Sequence, residues 1–513
     1  MTAEQMTPSP APKPDSAPNE QLAAGRLGIA GIVFFVVAAA APLVGMTGAV
    51  PVAIVLGNGA AAPGAYLVAG LVLLVFSVGY AAMSHRVSNT GAFFAFVGRG
   101  LGAVPGVGTA FVSLLAYVAI QLAVYGFFGA VAHGQLQARL SVDLPWWGWS
   151  LIAWALVLTL SLLQVDIGAK VLGVLMGLEV LSLLLVAVVV LAQGGGPDGL
   201  AFGASFSPAN IFAGGFGGSA GIALAFAFAS YIGFEATAIY AEETKDPKRA
   251  VPRATYTAVA LIAVLFALTS WAVVSGVGSQ HAVDEVARRS SVEGTPLADP
   301  AAVLFSVAEQ YVGGWLSTLM TWLVLSSLFA GLLAFQNSAA RYFFSMGRAG
   351  VLPRMLDRVN RRGAPIVGSL ATSVLTFVVI AFFALTDKDP VLNLFNWFSG
   401  LAVLAILLVE ILVSVAVIVH FRREPGEANV LQTVVAPIVA IIGLALAAYL
   451  IVARFGLLAG TSSNPDDALK TFALSATGWT LVLAPFVVLV IGLVLGAVRR
   501  NAENERAVAD LVS

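Results

Sequence analysis

The chain has 513 residues, of which 59% are hydrophobic and only 10% charged, with a formal net charge of −1. An ordinary soluble domain carries about a quarter charged residues, so a soluble globular reading is excluded, and the near-neutral balance gives no sign of a nucleic-acid partner. There is no cysteine, which excludes disulfide scaffolds and thiolate metal or iron–sulfur sites, and His85, His133, His281 and His420 are too scattered for a metal-binding helix face, so neither metal nor cofactor is expected.

Residues 1–25, rich in Pro, Ala, Ser and Gln, carry no apolar stretch and read as a disordered cytosolic tail rather than a signal peptide. A helix needs roughly 20 mainly apolar residues to cross the hydrocarbon of a bilayer. Twelve segments reach that length, near 27–56, 63–84, 104–133, 145–164, 168–193, 219–241, 253–278, 313–340, 364–386, 391–420, 431–453 and 474–498. The chain is therefore expected to be an all-α polytopic membrane protein with a transmembrane domain over 26–500 and a second cytosolic tail over 501–513. With the N-terminus inside, the outer loops hold only Arg139, Arg288, Arg289, Lys388, Arg454 and Lys470, leaving the other 20 of the 26 Lys and Arg on the inner side. That bias predicts a multi-pass protein of the cytoplasmic membrane with both termini cytoplasmic. The longest outer segment, 279–312, mixes charges with an apolar pattern over Ala301–Tyr311, and both a short helix over the outer mouth and a solvated loop fit it.

Two of the twelve spans carry interruptions. The first holds Ala41-Pro42-Leu43-Val44-Gly45-Met46-Thr47-Gly48, a proline and two glycines near mid-span. A helix kinks or breaks there, and the N–H groups of the fresh helix around Val44–Met46 would suit a substrate carboxylate. A plain proline kink is the simpler account of this segment taken alone. The sixth span reads Ser230-Tyr231-Ile232-Gly233-Phe234-Glu235, where carbonyls released at Gly233 would attract an ammonium group and Glu235 is a costly intramembrane carboxylate. A Glu235 that only bonds a neighbouring helix is the competing reading. Spans 1 and 6 would open the halves of a five-plus-five inverted repeat, about 27–193 and 219–420, with two extra C-terminal helices over 431–498. Matching interrupted helices in two halves point to a transporter site.

After span 6 comes Tyr240-Ala241-Glu242-Glu243-Thr244-Lys245-Asp246-Pro247-Lys248-Arg249-Ala250-Val251-Pro252-Arg253, and with Gly233-Phe234-Glu235 it closely resembles the amino acid-polyamine-organocation (APC) permease superfamily. The stretch from Asn337 to Arg354 is similar to the family's loop after the eighth helix, Ala364-Pro365 to its proline before the ninth, and Thr90–Val97 to its segment before the third. Many relatives have Gly-Ser-Gly at the first break, where this chain has Pro42 followed by Leu43-Val44-Gly45-Met46. The resemblance implies a non-enzymatic permease that moves amino acids or related amines by alternating access. It places substrate against Ala41, Pro42, Leu43, Val44, Gly45 and Met46 of span 1 and Ser230, Tyr231, Ile232, Gly233, Phe234 and Glu235 of span 6. It also suggests an inner gate at Glu242, Glu243, Lys245, Arg249, Arg253 and Arg341.

Glu179 in span 5 and Glu235 are the expected coupling groups if the coupling ion is a proton, because an intramembrane carboxylate is a common relay element. The fifth helix of proton-coupled relatives often carries a lysine near a site that sodium fills elsewhere. Glu410 in span 10 is similarly embedded, and Gln121, Tyr125, Ser326, Ser327, Asn393, Asn396 and Trp397 are further polar candidates, each also explicable as a helix contact or interfacial anchor. Sodium coupling, amine exchange and an amino acid sensor without transport are the alternatives; a membrane enzyme would need a nucleophile and base or a metal cluster, and the sequence offers neither. Spans 11 and 12 could face lipid or a second copy in a homodimer.

Overall fold

The computed structural model describes residues 28–85, 92–163, 166–235, 237, 244, 246–425, 428–464 and 469–498, so the two expected tails lie outside the described residues. These residues form an almost wholly helical bundle, as expected where backbone polar groups must be satisfied within each segment. In chain order the principal helices are α1 (Ile29–Ala40), α2 (Pro42–Val44), α3 (Ala62–Ser84), α4 (Ala92–Leu101), α5 (Ala103–Leu140), α6 (Trp146–Leu163), α7 (Asp166–Ala192) and α8 (Ala220–Ala229). They are followed by α9 (Pro247–Val277), α10 (Ala282–Arg289), α11 (Ala301–Tyr311), α12 (Gly314–Arg348), α13 (Ile366–Leu385), α14 (Asn396–Arg423), α15 (Ala436–Ala453) and α16 (Ala476–Val498).

Ten helices among the described residues are long and apolar enough to cross a membrane. One of these runs, Pro42–Ser84, leaves helical geometry at Gly57 (φ −94°, ψ −127°) and Gly59 (φ 60°), so it joins the second part of the first expected span to the whole of the second. The remaining part of span 1 is α1, and span 6 is represented by the ten-residue α8. Length alone gives ten where the sequence predicts twelve because expected spans 1 and 2 share one continuous run and span 6 is cut to ten residues, too short to cross by itself.

The 38-residue α5 is about 57 Å long at 1.5 Å per residue and packs against α4, α6, α12, α14 and α16. Gly102, at φ 103°, turns the chain from α4 into α5, a conformation that a side chain would strain. Ser113, Tyr117, Gln121 and Tyr125 recur every fourth residue along α5 and are all buried, so one stripe of this apolar helix is polar and faces inward. At the periphery, Leu483, Phe486, Val487, Val490, Ile491 and Val494 of α16 are exposed, an outward apolar face of the kind lipid covers. The segment over 279–312 folds as α10 and α11, so the helical reading of Ala301–Tyr311 holds. Both pack against the π-helical turns that follow α2.

Candidate functional site

The break in span 1 is one residue wide. The ring of Pro42 disfavours right-handed helix at the residue before it, and Ala41 adopts left-handed geometry (φ 42°, ψ 70°). Helix then restarts at once, because proline suits a first helical turn, and continues through π-helical turns at Gly45–Ala49 and Ala53–Asn58. This is tighter than the expected unwound stretch. The N–H groups of Val44 and Gly45, expected to be open to a carboxylate, both donate to the Ala41 carbonyl, at 2.9 and 3.1 Å.

The break in span 6 is wider. Helix α8 ends at Ala229, residues 231–235 form a turn, and Gly233 takes φ 112°. The hydroxyl of Ser230 donates back to the Phe226 carbonyl at 2.9 Å. Among the described residues no backbone donor reaches the carbonyls of Ser230, Ile232 and Gly233. Glu235 is fully buried and closes the turn: its Oε1 accepts from the Tyr117 hydroxyl (2.6 Å), its Oε2 from the Gly233 N–H (3.0 Å), and its carbonyl from the Tyr80 hydroxyl (2.9 Å). Phe76, Tyr80, Phe93 and Phe234 pack edge-on or tilted around this turn.

The two breaks meet. A Cβ placed on Gly45 would lie 3.2 Å from Ser230 Oγ and overlap the ring of Phe266, and one on Gly331 of α12 would touch the Ala41 methyl at 3.5 Å. Tyr66 stacks on Phe266 at 5.4 Å, and Tyr231 donates to the Tyr66 carbonyl at 2.9 Å. Ala41, Gly45, Ser230 and Tyr231 therefore converge, while Met46 and Phe234 are buried around them.

Glu179 is 2% exposed on α7 and receives a long hydrogen bond, 3.5 Å, from Ser326 on α12; Pro42–Val44 packs against the same helix. Gln121 donates to Gln336 (2.8 Å), which donates to the Ser369 carbonyl (2.9 Å) and Ser373 Oγ (3.0 Å), tying α5, α12 and α13 together. Trp397 is an anchor, donating to the Ala459 carbonyl at 2.7 Å, and Asn393 accepts from the Asp389 N–H at 3.1 Å. Of the expected inner gate, Glu242, Glu243 and Lys245 lie outside the described residues. Arg249 and Arg253 are exposed, with Arg249 4.0 Å from Asp246, whereas Arg341 is buried and donates to the Asn337 carbonyl at 3.2 Å. Tyr117, Tyr80, Tyr66, Phe266 and Gln336 were missed as site residues. Only Tyr117 had a legible signal, its place in the four-residue polar stripe of α5.

Beside α11, Arg288 and Arg289 both bond Glu285 (2.7 Å each) and hold its carboxyl down to about 2, and Arg289 also reaches Ser306 and Gln310.

The profile of the amino acid permease family matches residues 31–500. A branched-chain amino acid permease, BcaP, of Lactococcus lactis is 28% identical over 62% of this chain and 67% of its own length. The histidine permease of Saccharomyces cerevisiae is 26% identical over 51% of this chain and 44% of its own, so less than half of that relative is spanned. A probable threonine/serine transporter, YbxG, of Bacillus subtilis is 21% identical over 60% and 64%. The crystal structure of a manganese transporter from Eremococcus coleocola superposes with a TM-score of 0.56 at 15% identity, covering 94% of this chain and 99% of that one, a likeness of fold. With its helix breaks, its bundle and this match over most of its length, the chain belongs to the amino acid permease family of the APC superfamily.

Proposed function

We propose that the protein is a secondary transporter that carries amino acids across the cytoplasmic membrane by alternating access, with both termini cytoplasmic and protons as the coupling ion. The observation that carries this reading is the convergence of the two breaks, Ala41–Gly45 against Ser230–Tyr231, in the core of a permease-family bundle. A zwitterion fits such a place. The amine would rest on the carbonyls of Ser230, Ile232 and Gly233, which no backbone donor among the described residues reaches, and the carboxylate at the positive end of the helix that restarts after Ala41, where the Val44 and Gly45 N–H groups would exchange the Ala41 carbonyl for the substrate. Glu235 is fully buried with its two oxygens turned to Tyr117 and the Gly233 N–H, so its carboxyl is aimed at the protein and not at a second ammonium group. That favours ordinary amino acids over polyamines, and the relatives named above carry branched-chain amino acid, histidine and threonine/serine names. Glu179, which bonds Ser326 and lies on the helix that packs against the break in span 1, and Glu235 are the groups assigned to coupling.

The test is uptake of a labelled panel of amino acids and polyamines into proteoliposomes, with and without an imposed proton gradient, for wild type, Glu235→Gln and Glu179→Gln. The expected result is gradient-stimulated accumulation of amino acids that one or both variants lose while remaining folded. Accumulation driven only by sodium, or only by counter-substrate, would replace the coupling reading with symport or exchange. Binding without accumulation across the panel would sink transport and leave a sensor.

A further inference from the structure

Between α12 and α13 the chain carries Arg354, Arg358, Arg361 and Arg362, with Asp357 as the one acid among them. All four arginines are exposed. Among the described residues no carboxylate pairs with any of them, whereas Arg99 has Glu424 at 3.1 Å and Arg249 has Asp246 at 4.0 Å.

The segment that carries them is fixed by Asn360. Its side-chain amide donates to the Leu162 carbonyl at 2.7 Å, and its Oδ1 accepts from the N–H groups of Arg362 (2.9 Å) and Ala364 (3.0 Å). The Asn360 carbonyl accepts from the Gly363 N–H at 2.9 Å, which closes a turn with Arg361 and Arg362 at its two central positions. Gly363 leaves the turn at φ 82°, and Val359 pairs with Pro365 across it. Arg362 also donates to the Leu163 carbonyl at 2.6 Å. Asn360 and Arg362 thus satisfy the last carbonyls of α6, which have no acceptor role left within the helix, and the positive charge suits a helix C-terminus. Three arginines are in this way held on a short, hydrogen-bonded hairpin.

The hairpin stands where apolar surface begins. Leu163, at the end of α6, is 42% exposed, and Leu156 on α6 and Leu370 and Val374 on α13 are exposed as well. Helices α6 and α13 pack together, with Trp154 donating to the Ser373 carbonyl at 2.8 Å, so the hairpin sits at the shared end of two helices that both turn apolar side chains outward. Fixed guanidinium groups beside an apolar rim match a molecule that is anionic at one end and apolar at the other. We propose that Arg358, Arg361 and Arg362 bind the phosphate headgroup of an anionic phospholipid in the leaflet at this end of the bundle. A guanidinium fork can hold two phosphate oxygens at once, and Arg362 keeps nitrogens free beyond the one given to Leu163. The acyl chains would lie along Leu163 and Leu370. The inference is independent of the transport reading and of which side of the membrane this end faces.

The test is titration of the purified full-length protein in detergent with phosphatidylglycerol, with phosphatidylcholine and with inorganic phosphate, read as the unfolding midpoint and as retained lipid in native mass spectra. Phosphatidylglycerol is expected to raise the midpoint and to stay bound, and the other two to do neither. Each arginine near a membrane surface is worth about fivefold in affinity, so Arg358→Gln/Arg361→Gln should weaken phosphatidylglycerol binding by roughly 25-fold. Lys248→Gln/Arg422→Gln, which removes two exposed charges elsewhere, should leave it unchanged. Arg358→Lys/Arg361→Lys keeps the charge and should lose less than the glutamine pair. Equal weakening by Lys248→Gln/Arg422→Gln would reduce the effect to overall charge and overturn the site. Equal stabilisation by phosphatidylcholine, or full stabilisation by inorganic phosphate, would also overturn it, as would a dimer in the native spectrum that the Arg358→Gln/Arg361→Gln variant abolishes while its lipid binding persists. If the glutamine pair fails to fold where the lysine pair folds and binds phosphatidylcholine and phosphatidylglycerol alike, the arginines are structural and the proposal fails.

Discussion

At the scale of single residues, Glu235 was legible as a costly intramembrane acid but its partners were not. Tyr117 is 118 positions away, and nothing local to span 6 announces it. The Tyr117→Phe variant should lose about 1.5–3 kcal/mol, the usual worth of a hydrogen bond to a charged group, read as a lower unfolding midpoint in detergent. Glu235→Gln should be worse for function than Tyr117→Phe, because an amide nitrogen cannot accept from either the hydroxyl or the Gly233 N–H. Ala41 offers the opposite sign. A left-handed alanine is strained by about 1–2 kcal/mol, so Ala41→Gly should raise thermal stability by up to about that amount, less the added freedom of the unfolded chain. A lower midpoint for that variant would mean that the Ala41 methyl, in contact with Gly331, contributes more than the strain costs.

At the scale of elements, helices were readable wherever an apolar run was continuous, and least readable where function bends them. Proline and glycine marked both interruptions, yet they did not reveal that span 1 restarts within a residue whereas span 6 stays open over 231–235. That difference comes from the proline, whose fixed φ re-nucleates a helix, against a glycine that is free to turn away from one. The close approach of the elements at Gly45 is testable through Gly45→Val. Its side chain must displace Phe266 and Ser230, costing about 1–3 kcal/mol and slowing uptake well beyond the loss of folded protein. The α10–α11 pair gives a pH prediction. Glu285 has a carboxyl lowered from 4.5 to about 2, so its contribution is present above pH 4.5 and is lost as pH falls from there toward 2. Being partly exposed and screened, the pairing is worth about 1 kcal/mol at most. Hydrogen exchange over 282–311 should show Glu285→Gln opening more readily than wild type at pH 7, with the two converging near pH 2.

At the scale of the whole molecule, composition settled the class, since an all-helical apolar bundle follows from 59% hydrophobic residues with nearly all charges set between the apolar runs. The arrangement of helices around α5 was not legible, because apolar faces carry no address and the contacts are set by small residues such as Gly100 against Ala416 and Gly108 against Gly492. Orientation is open to a direct measurement. The native chain has no cysteine, so single cysteines at Ser291 and Arg423 can be labelled by an impermeant reagent in intact cells. Labelling at Ser291 alone is expected, and labelling at Arg423 alone would invert the proposed topology. The π-helical turns of span 1 carry a consequence on this scale too. Each stores one residue more than an α-helical turn. If the turn at Gly45–Ala49 let that residue go, everything from Val50 to Asn58 would rotate by about 100° and slide by about 1.5 Å. Helices α10 and α11 rest on these turns, so a one-residue slip beside the proposed substrate position would be passed as a screw motion to the surface of the bundle.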